Sequence, residues 1–216
     1  MKKFCLVTLL LVVLFQSKAQ TYKVKIITNH GNITVVMFDE TPKHRDNFVK
    51  LVKEHFYDSL LFHRVIKGFV IQGGDPTSKT AADTALLGEG DIGYTIPAEF
   101  NPNLFHKKGV LAQARDDNPA KASSACQFYI VQGKIANDSA FIKAKKRTGN
   151  ETPEAHKIVY RKIGGIPHLD MNYTVYGEVI KGLKVVDKIA AVKTDKNDRP
   201  IKPVRIKTIK LLKKGR

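Results

Sequence analysis

Within residues 62–75 an arginine, a phenylalanine and a glutamine, Arg64, Phe69 and Gln72, sit on two short apolar runs joined across Lys67-Gly68. They offer a cation that only donates hydrogen bonds, an apolar wall, and an amide that both donates and accepts. No nucleophile lies inside the stretch. His63 beside the arginine invites an acid–base reading, but the plainer one is a hydrogen-bonded structural histidine. Elsewhere the seven histidines are dispersed, no HExxH or paired CxxC pattern occurs, and Gly73-Gly74 matches neither dinucleotide nor P-loop spacing. No metal site and no cofactor are expected.

Two strands and a tight turn are the elements that must carry this set. With a plain two-residue turn at Lys67-Gly68, strict alternation puts Phe69 on the face of Arg64 and Gln72 on the other. Upstream, residues 22–28 alternate Val24 and Ile26 with Lys23 and Lys25, residues 29–32 supply turn chemistry, and 33–38 resume the apolar pattern of a hairpin. Thr41-Pro42 then places a hydroxyl at a helix N-cap and proline at the first helical position. Phe48, Val49, Leu51, Val52 and Phe56 share one stripe, so a helix is expected over 42–55.

Downstream, residues 76–93 read as a long surface loop, and short strands are expected over 95–100, 109–114 and 127–132, with a polar loop at 115–125. Between 133 and 167 basic residues crowd together and aromatics thin out, the mark of a partly helical insertion whose plain reading is a surface excursion. A strand over 173–180, a helix over 183–190 and a strand over 203–212 complete the chain, with residues 213–216 expected to fray. Many short strands, few helices and no βαβ rhythm predict an antiparallel barrel or sandwich with two covering helices.

The 216 residues suit a single domain, placed at 21–213. Lys2-Lys3, an apolar run over 4–15 and the small-residue pattern Ser17-Lys18-Ala19 predict a signal peptide over 1–19, cleaved near 19/20. The run is short for a permanent membrane span. Export to periplasm or medium is the expected localisation. Cleavage leaves only Cys126, so no intramolecular disulfide can form. The formal charge of +17 drops by the three lysines of that segment to 34 basic against 20 acidic residues, +14. Its lysines are scattered and no recognition helix or aromatic RNA-binding signature accompanies them, so a solvated basic surface is expected rather than a specific nucleic-acid partner.

Residues 62–75 resemble the signature of the cyclophilin-type peptidyl-prolyl cis-trans isomerases. The likeness continues through Thr95-Ile96-Pro97-Ala98-Glu99-Phe100, Gly109-Val110-Leu111-Ala112, Cys126-Gln127-Phe128-Tyr129-Ile130 and Tyr173-Thr174-Val175-Tyr176-Gly177-Glu178-Val179. It implies a closed eight-stranded antiparallel β-barrel capped by two α-helices, acting as a monomer on proline-containing peptides and unfolded exported proteins. By resemblance Arg64 is the catalytic arginine and Gln72 holds it and the peptide backbone. Phe69, Val70, Phe128, Leu169 and Tyr173 match the lining of the proline pocket, with Ala114 and Gln127 as further peptide contacts. Taken alone, Phe69, Phe128 and Leu169 read equally well as core residues. The family groups Arg64, Phe69 and Gln72 on one face, so a bulge or irregular turn is expected between the two strands.

The chemistry implied fits the residues. Rotation about a peptide bond crosses a barrier of about 18–20 kcal/mol set by amide resonance, and no bond is made or broken. As the bond twists, the proline nitrogen recovers a lone pair that a donor can bind only then. A proline-binding or chaperone module on the same fold is the rival reading, but it would have no use for such a donor. Two departures bear on inhibitors: His168 stands where members that bind cyclosporin tightly have tryptophan, and Tyr173 where many have histidine. Weak cyclosporin binding with retained isomerase activity is expected, and a titration that inhibits tightly would count against it.

Overall fold

The computed structural model describes residues 22–212; the expected export segment 1–19 and the tail 213–216 lie outside the described residues. β1 (Lys23–Thr28) and β2 (Gly31–Met37) pair from Lys23↔Val36 to Thr28↔Gly31, leaving Asn29-His30 as a two-residue turn. α1 (Pro42–Lys53) follows and buries Phe48, Leu51 and Val52 in the main core. Its cap differs from the expected one. The Thr41 side chain makes no capping bond; instead the Glu99 carboxylate accepts from the N–H groups of Lys43 and His44, each at 3.0 Å. A carboxylate at that end suits the helix dipole.

The remaining elements are β3 (Arg64–Val65), β4 (Val70–Gly73), β5 (Thr95–Ile96), β6 (Val110–Gln113), β7 (Ser123–Ser124), β8 (Phe128–Val131), α2 (Asp138–Thr148), α3 (Glu154–Ile163), β9 (Val175–Lys181), α4 (Leu183–Ala190) and β10 (Ile206–Leu211). Eight strands form one curled antiparallel sheet in the order β10-β1-β2-β9-β6-β8-β4-β3, and β5 pairs with β7 in a separate ribbon. One expectation needs correction. The sheet is not a closed barrel: β3 is two residues long, and it and β10 are the edges. An isolated bridge at Leu61↔Arg205 and the Phe62 N–H to Val204 carbonyl bond of 2.8 Å join the flanking segments instead. Among the described residues four α-helices accompany the sheet: α1 and α4 pack against it, and the 133–167 segment is partly helical as expected, with α2 and α3 around a small cluster of Ala136, Phe141 and Tyr160. Among the described residues no helix is long and apolar enough to cross a membrane.

The strands that carry the site are apolar on both faces. Inside the curl, Ile71, Leu111, Phe128 and Ile130 pack with the stripes of α1 and α4. Outside it, Val70, Val110, Ala112, Tyr129, Val131 and Val175 pack with Ile166 and Leu169. Gly74 follows β4 with a left-handed φ of 99°, and a Cβ there would overlap the Cys126 carbonyl and the Gln127 backbone. Gly74→Ala combines a strained backbone with that clash and is expected to lower stability by about 3 kcal/mol. Urea unfolding checks this, and a loss below about 1 kcal/mol would contradict it.

Candidate active site

Arg64 pairs directly with Gln72 across the β3–β4 hairpin, and Val65 with Ile71. The turn makes this possible. Ile66 donates to the Val70 carbonyl at 2.9 Å while its own carbonyl accepts from Phe69 at 3.0 Å, so two residues face one. Gly68 supplies the left-handed φ of 78° that the turn requires. This is the irregular turn expected above, and the extra residue keeps Arg64 and Gln72 on one face. It also brings the Phe69 ring beneath the Arg64 guanidinium, 5.9 Å from its centroid.

A chain of amides extends from the arginine. Arg64 Nη1 makes a long 3.4 Å contact to Gln72 Oε1, Gln72 Nε2 donates to Gln127 Oε1 at 3.2 Å, and Gln127 Nε2 donates to the carbonyls of Gly88 and Gly90 at 2.6 and 2.8 Å. Gln127 thus ties the hairpin to the 80–93 loop, which Arg199 grips from the other side through the carbonyls of Ala82 and Ala85. The base of that loop is anchored by Asp75, whose carboxylate accepts from Thr77 N–H at 2.8 Å and from Gly88 N–H at 2.5 Å. Although burial alone would raise it, these donors hold the Asp75 carboxyl below its usual range. The residues expected to form a featureless surface loop are therefore pinned at both ends over the site.

Arg64, Phe69, Val70, Gln72, Ala114, Leu169 and Tyr173 line one cleft of about 400 Å³. Its apolar floor lies beside the Arg64 guanidinium, an arrangement fitted to hold a ring and donate to an atom at its edge. A family model described as cyclophilin type peptidyl-prolyl cis-trans isomerase/CLD matches residues 23–211. The chain belongs to the cyclophilin-type peptidyl-prolyl cis-trans isomerases. It is 36% identical over 188 residues to a peptidyl-prolyl cis-trans isomerase of Staphylococcus haemolyticus, covering 87% of this chain and 89% of that one. A Streptococcus pyogenes protein named as a bifunctional phosphatase/peptidyl-prolyl cis-trans isomerase is 40% identical over 195 residues. The match covers 88% of this chain but only 38% of that protein's length. A Cryptosporidium parvum cyclophilin crystal structure superposes with a TM-score of 0.68 at 26% identity, over 91% of this chain and all of that one. A second structure of it, in the presence of the dipeptide Ala-Pro, gives 0.67 at 26% identity over 90% and 100%.

One expected pocket residue is elsewhere in this cyclophilin. Phe128 is fully buried inside the curl, edge-on to Phe48, Tyr57 and Phe62. Its neighbour Tyr129 sits opposite Gln72 and lines the cleft. Because side chains alternate along a strand, the one-residue offset moves the wall to the other face. Behind Tyr129 runs a buried chain that sequence reasoning missed. Tyr129 Oη lies 3.0 Å from His106 Nε2, and His106 Nδ1 lies 3.0 Å from Asp170 Oδ1. Tyr160 of α3 donates to both oxygens of that carboxylate at 2.9 and 2.8 Å. Asp170 immediately follows Leu169, so the chain holds the cleft wall and its floor together. Asp198 was also missed; its carboxylate stands 3.9 Å from Arg64 Nε. Arg115 covers the Tyr173 ring at 4.8 Å while donating to the Asn172 carbonyl at 2.9 Å.

His63 departs from expectation as well. It is 3% exposed, and neither ring nitrogen has a partner among the described residues. Burial depresses its pKa to about 4, with Arg64 and Arg199 adding to the fall and Asp75 opposing it. It is therefore neutral at neutral pH and no proton donor for the cleft. In the unfolded chain the same imidazole protonates near its ordinary value of 6.5. Between about pH 6.5 and 4 the unfolded state then holds more protons, and stability falls as the pH is lowered through that window. The full contribution is on the order of 3 kcal/mol. Other histidines shift the same way, so the measurement is a difference. Urea unfolding of the parent and of His63→Gln across this window is expected to show a shallower pH slope for the variant, and equal slopes would refute the assignment.

Proposed function

We propose that Arg64 donates a hydrogen bond to the proline nitrogen of a bound X-Pro peptide as that nitrogen becomes pyramidal. In this reading the proline ring rests on Phe69, Val70, Tyr129 and Leu169. Gln72 orients the guanidinium and holds the peptide backbone, and Gln127 fixes Gln72. The observation that carries the reading is the pairing of Arg64 with Gln72 above the Phe69 ring, which sets donor and apolar wall at one edge of one cleft. The relative crystallised with Ala-Pro supports a proline-containing ligand. Donation to a planar ground-state nitrogen gains nothing, so the interaction favours the twisted form selectively. The apolar floor contributes by holding the ring while the preceding carbonyl swings.

A hydrogen bond to a charged group is worth about 1.5–3 kcal/mol, or one to two decades of rate. Arg64→Ala is therefore expected to reduce kcat/KM for a short X-Pro peptide roughly ten- to hundred-fold, and Gln72→Ala by a smaller factor. The rate should stay flat between about pH 6 and 8, because the cleft's His63 and the adjoining His168, both depressed to about 4 chiefly by burial, do not titrate there. NMR exchange between cis and trans peptide measures both. An Arg64→Ala enzyme as fast as the parent would sink the mechanism.

We also infer that the enzyme acts outside the cytoplasm on exported proteins whose folding waits on slow X-Pro isomerisation. The support is the basic, apolar and small-residue pattern of residues 1–19. The 133–167 segment is read as an insertion into the family framework, placed beside the cleft rather than remote from it.

A further inference from the structure

A second groove, of about 480 Å³, lies between α2 and the signature turn. It is continuous with the proline cleft, because Phe69 and Arg147 line both. Its floor is Ala140, Ala144, Ile166 and Pro167, and Lys134, Lys143 and Arg147 stand along its rim with no Asp or Glu among the lining residues. Lys143 and Arg147 are four residues apart on α2 and share a face with Ala140 and Ala144. None of the three cations has a carboxylate partner among the described residues. Elsewhere in the same segment Lys145 pairs with Glu151, and Arg161 with Asp138 and Glu154.

The groove is also built firmly. The Phe69 carbonyl accepts from both Gln132 and Gly133 N–H at 2.9 Å, and Gly68 N–H donates to Gln132 Oε1 at 2.6 Å. The stem of Lys134 lies directly over Gly68, where any Cβ would displace it. The far end of the segment is held by Tyr160 on Asp170. The cations are thus carried on a frame that shares its turn with the site.

We propose that this groove takes the peptide chain flanking the proline and selects an acidic side chain there. The inference rests on the peptide-binding reading of the Arg64 cleft. A chain leaving that cleft across Phe69 meets an apolar floor for its stem and three unpaired cations for its carboxylate. Each exposed pair adds little alone, but three cations along one groove give a carboxylate there a preference of roughly three- to ten-fold that salt screens away.

The test is a series of heptapeptides, alanine around one central proline, with glutamate or glutamine placed in turn at each other position. Cis/trans exchange is followed by NMR. At one position the glutamate peptide is expected to exceed its glutamine twin roughly three- to ten-fold in kcat/KM at about 50 mM salt, the ratio approaching one near 0.5 M. Lys134→Gln with Lys143→Gln should bring the ratio toward one, and Lys143→Glu should turn it toward a lysine peptide. Thermal melts confirm that the variants fold. Equal rates for every Glu/Gln pair, or a preference that survives the double variant, overturn the inference and leave the cleft reading intact if the all-alanine peptide still depends on Arg64. Loss of that Arg64 dependence overturns the cleft reading itself, and the inference with it.

Discussion

The hairpin turn at Lys67-Gly68-Phe69 is the constraint on which the site depends. One extra residue opposite Ile66 decides whether Arg64 and Gln72 share a face or lie on opposite sides of the sheet. Gly68 allows it through its left-handed backbone, and the turn is then clasped by Gln132 and Gly133, where β8 leads into the 133–167 segment. Elements far apart in sequence thereby meet at one turn. The arginine is positioned by strand register rather than by a flexible loop, which limits the play of the proposed donor.

The same sheet serves two interiors. Along β4, β6 and β8 successive side chains enter the main core and a second apolar cluster in alternation, and from that second face Val70 and Tyr129 reach the cleft. Buried strands of this kind read as continuous hydrophobic runs, so a pattern that distinguishes inside from outside on a half-solvated strand is silent here. Phe128 and Tyr129 show the consequence. Both are aromatic and nearly inaccessible, and only their register against Gly73 and Gln72 tells which one faces the ligand. The resemblance pointed to the right strand, and the face required the pairing.

Much of the architecture was legible because it is written locally. The α1 and α4 stripes, the first hairpin and the turn chemistry at Lys67-Gly68 each show within a dozen residues. What was hidden depends on partners distant in the chain. The α1 cap comes from Glu99, the 76–93 loop is ordered by Asp75, Gln127 and Arg199, and Tyr160 reaches Asp170 behind the cleft. The strand expected over 95–100 covers only Thr95–Ile96, and its partner β7 lies inside the stretch read as a loop, because Ser123 and Ser124 carry little strand preference and the pairing is settled by tertiary contact. The low aromatic content of 133–167 concealed a compact unit whose buried core is one phenylalanine, one tyrosine and one alanine.

Four arginines line the cleft, and their hydrogen bonds separate their roles. Arg199 is nearly buried with its guanidinium on the Ala82 and Ala85 carbonyls, and Arg115 lies along Tyr173 with donors on the Asn172 and Asp116 carbonyls. Those two fix the walls. Arg147 stands at the rim on α2, toward the second groove. Arg64 alone sits over the apolar floor with only a long contact to Gln72 and a distant carboxylate in Asp198. A donor already committed to a short, strong acceptor would have to break that bond before reaching the substrate, and the exchange would return most of the gain. Loose tethering therefore suits the proposed mechanism: Gln72 and Asp198 stand near enough to orient the guanidinium, and neither holds it so tightly that donation to the nitrogen of a twisted peptide bond would be lost.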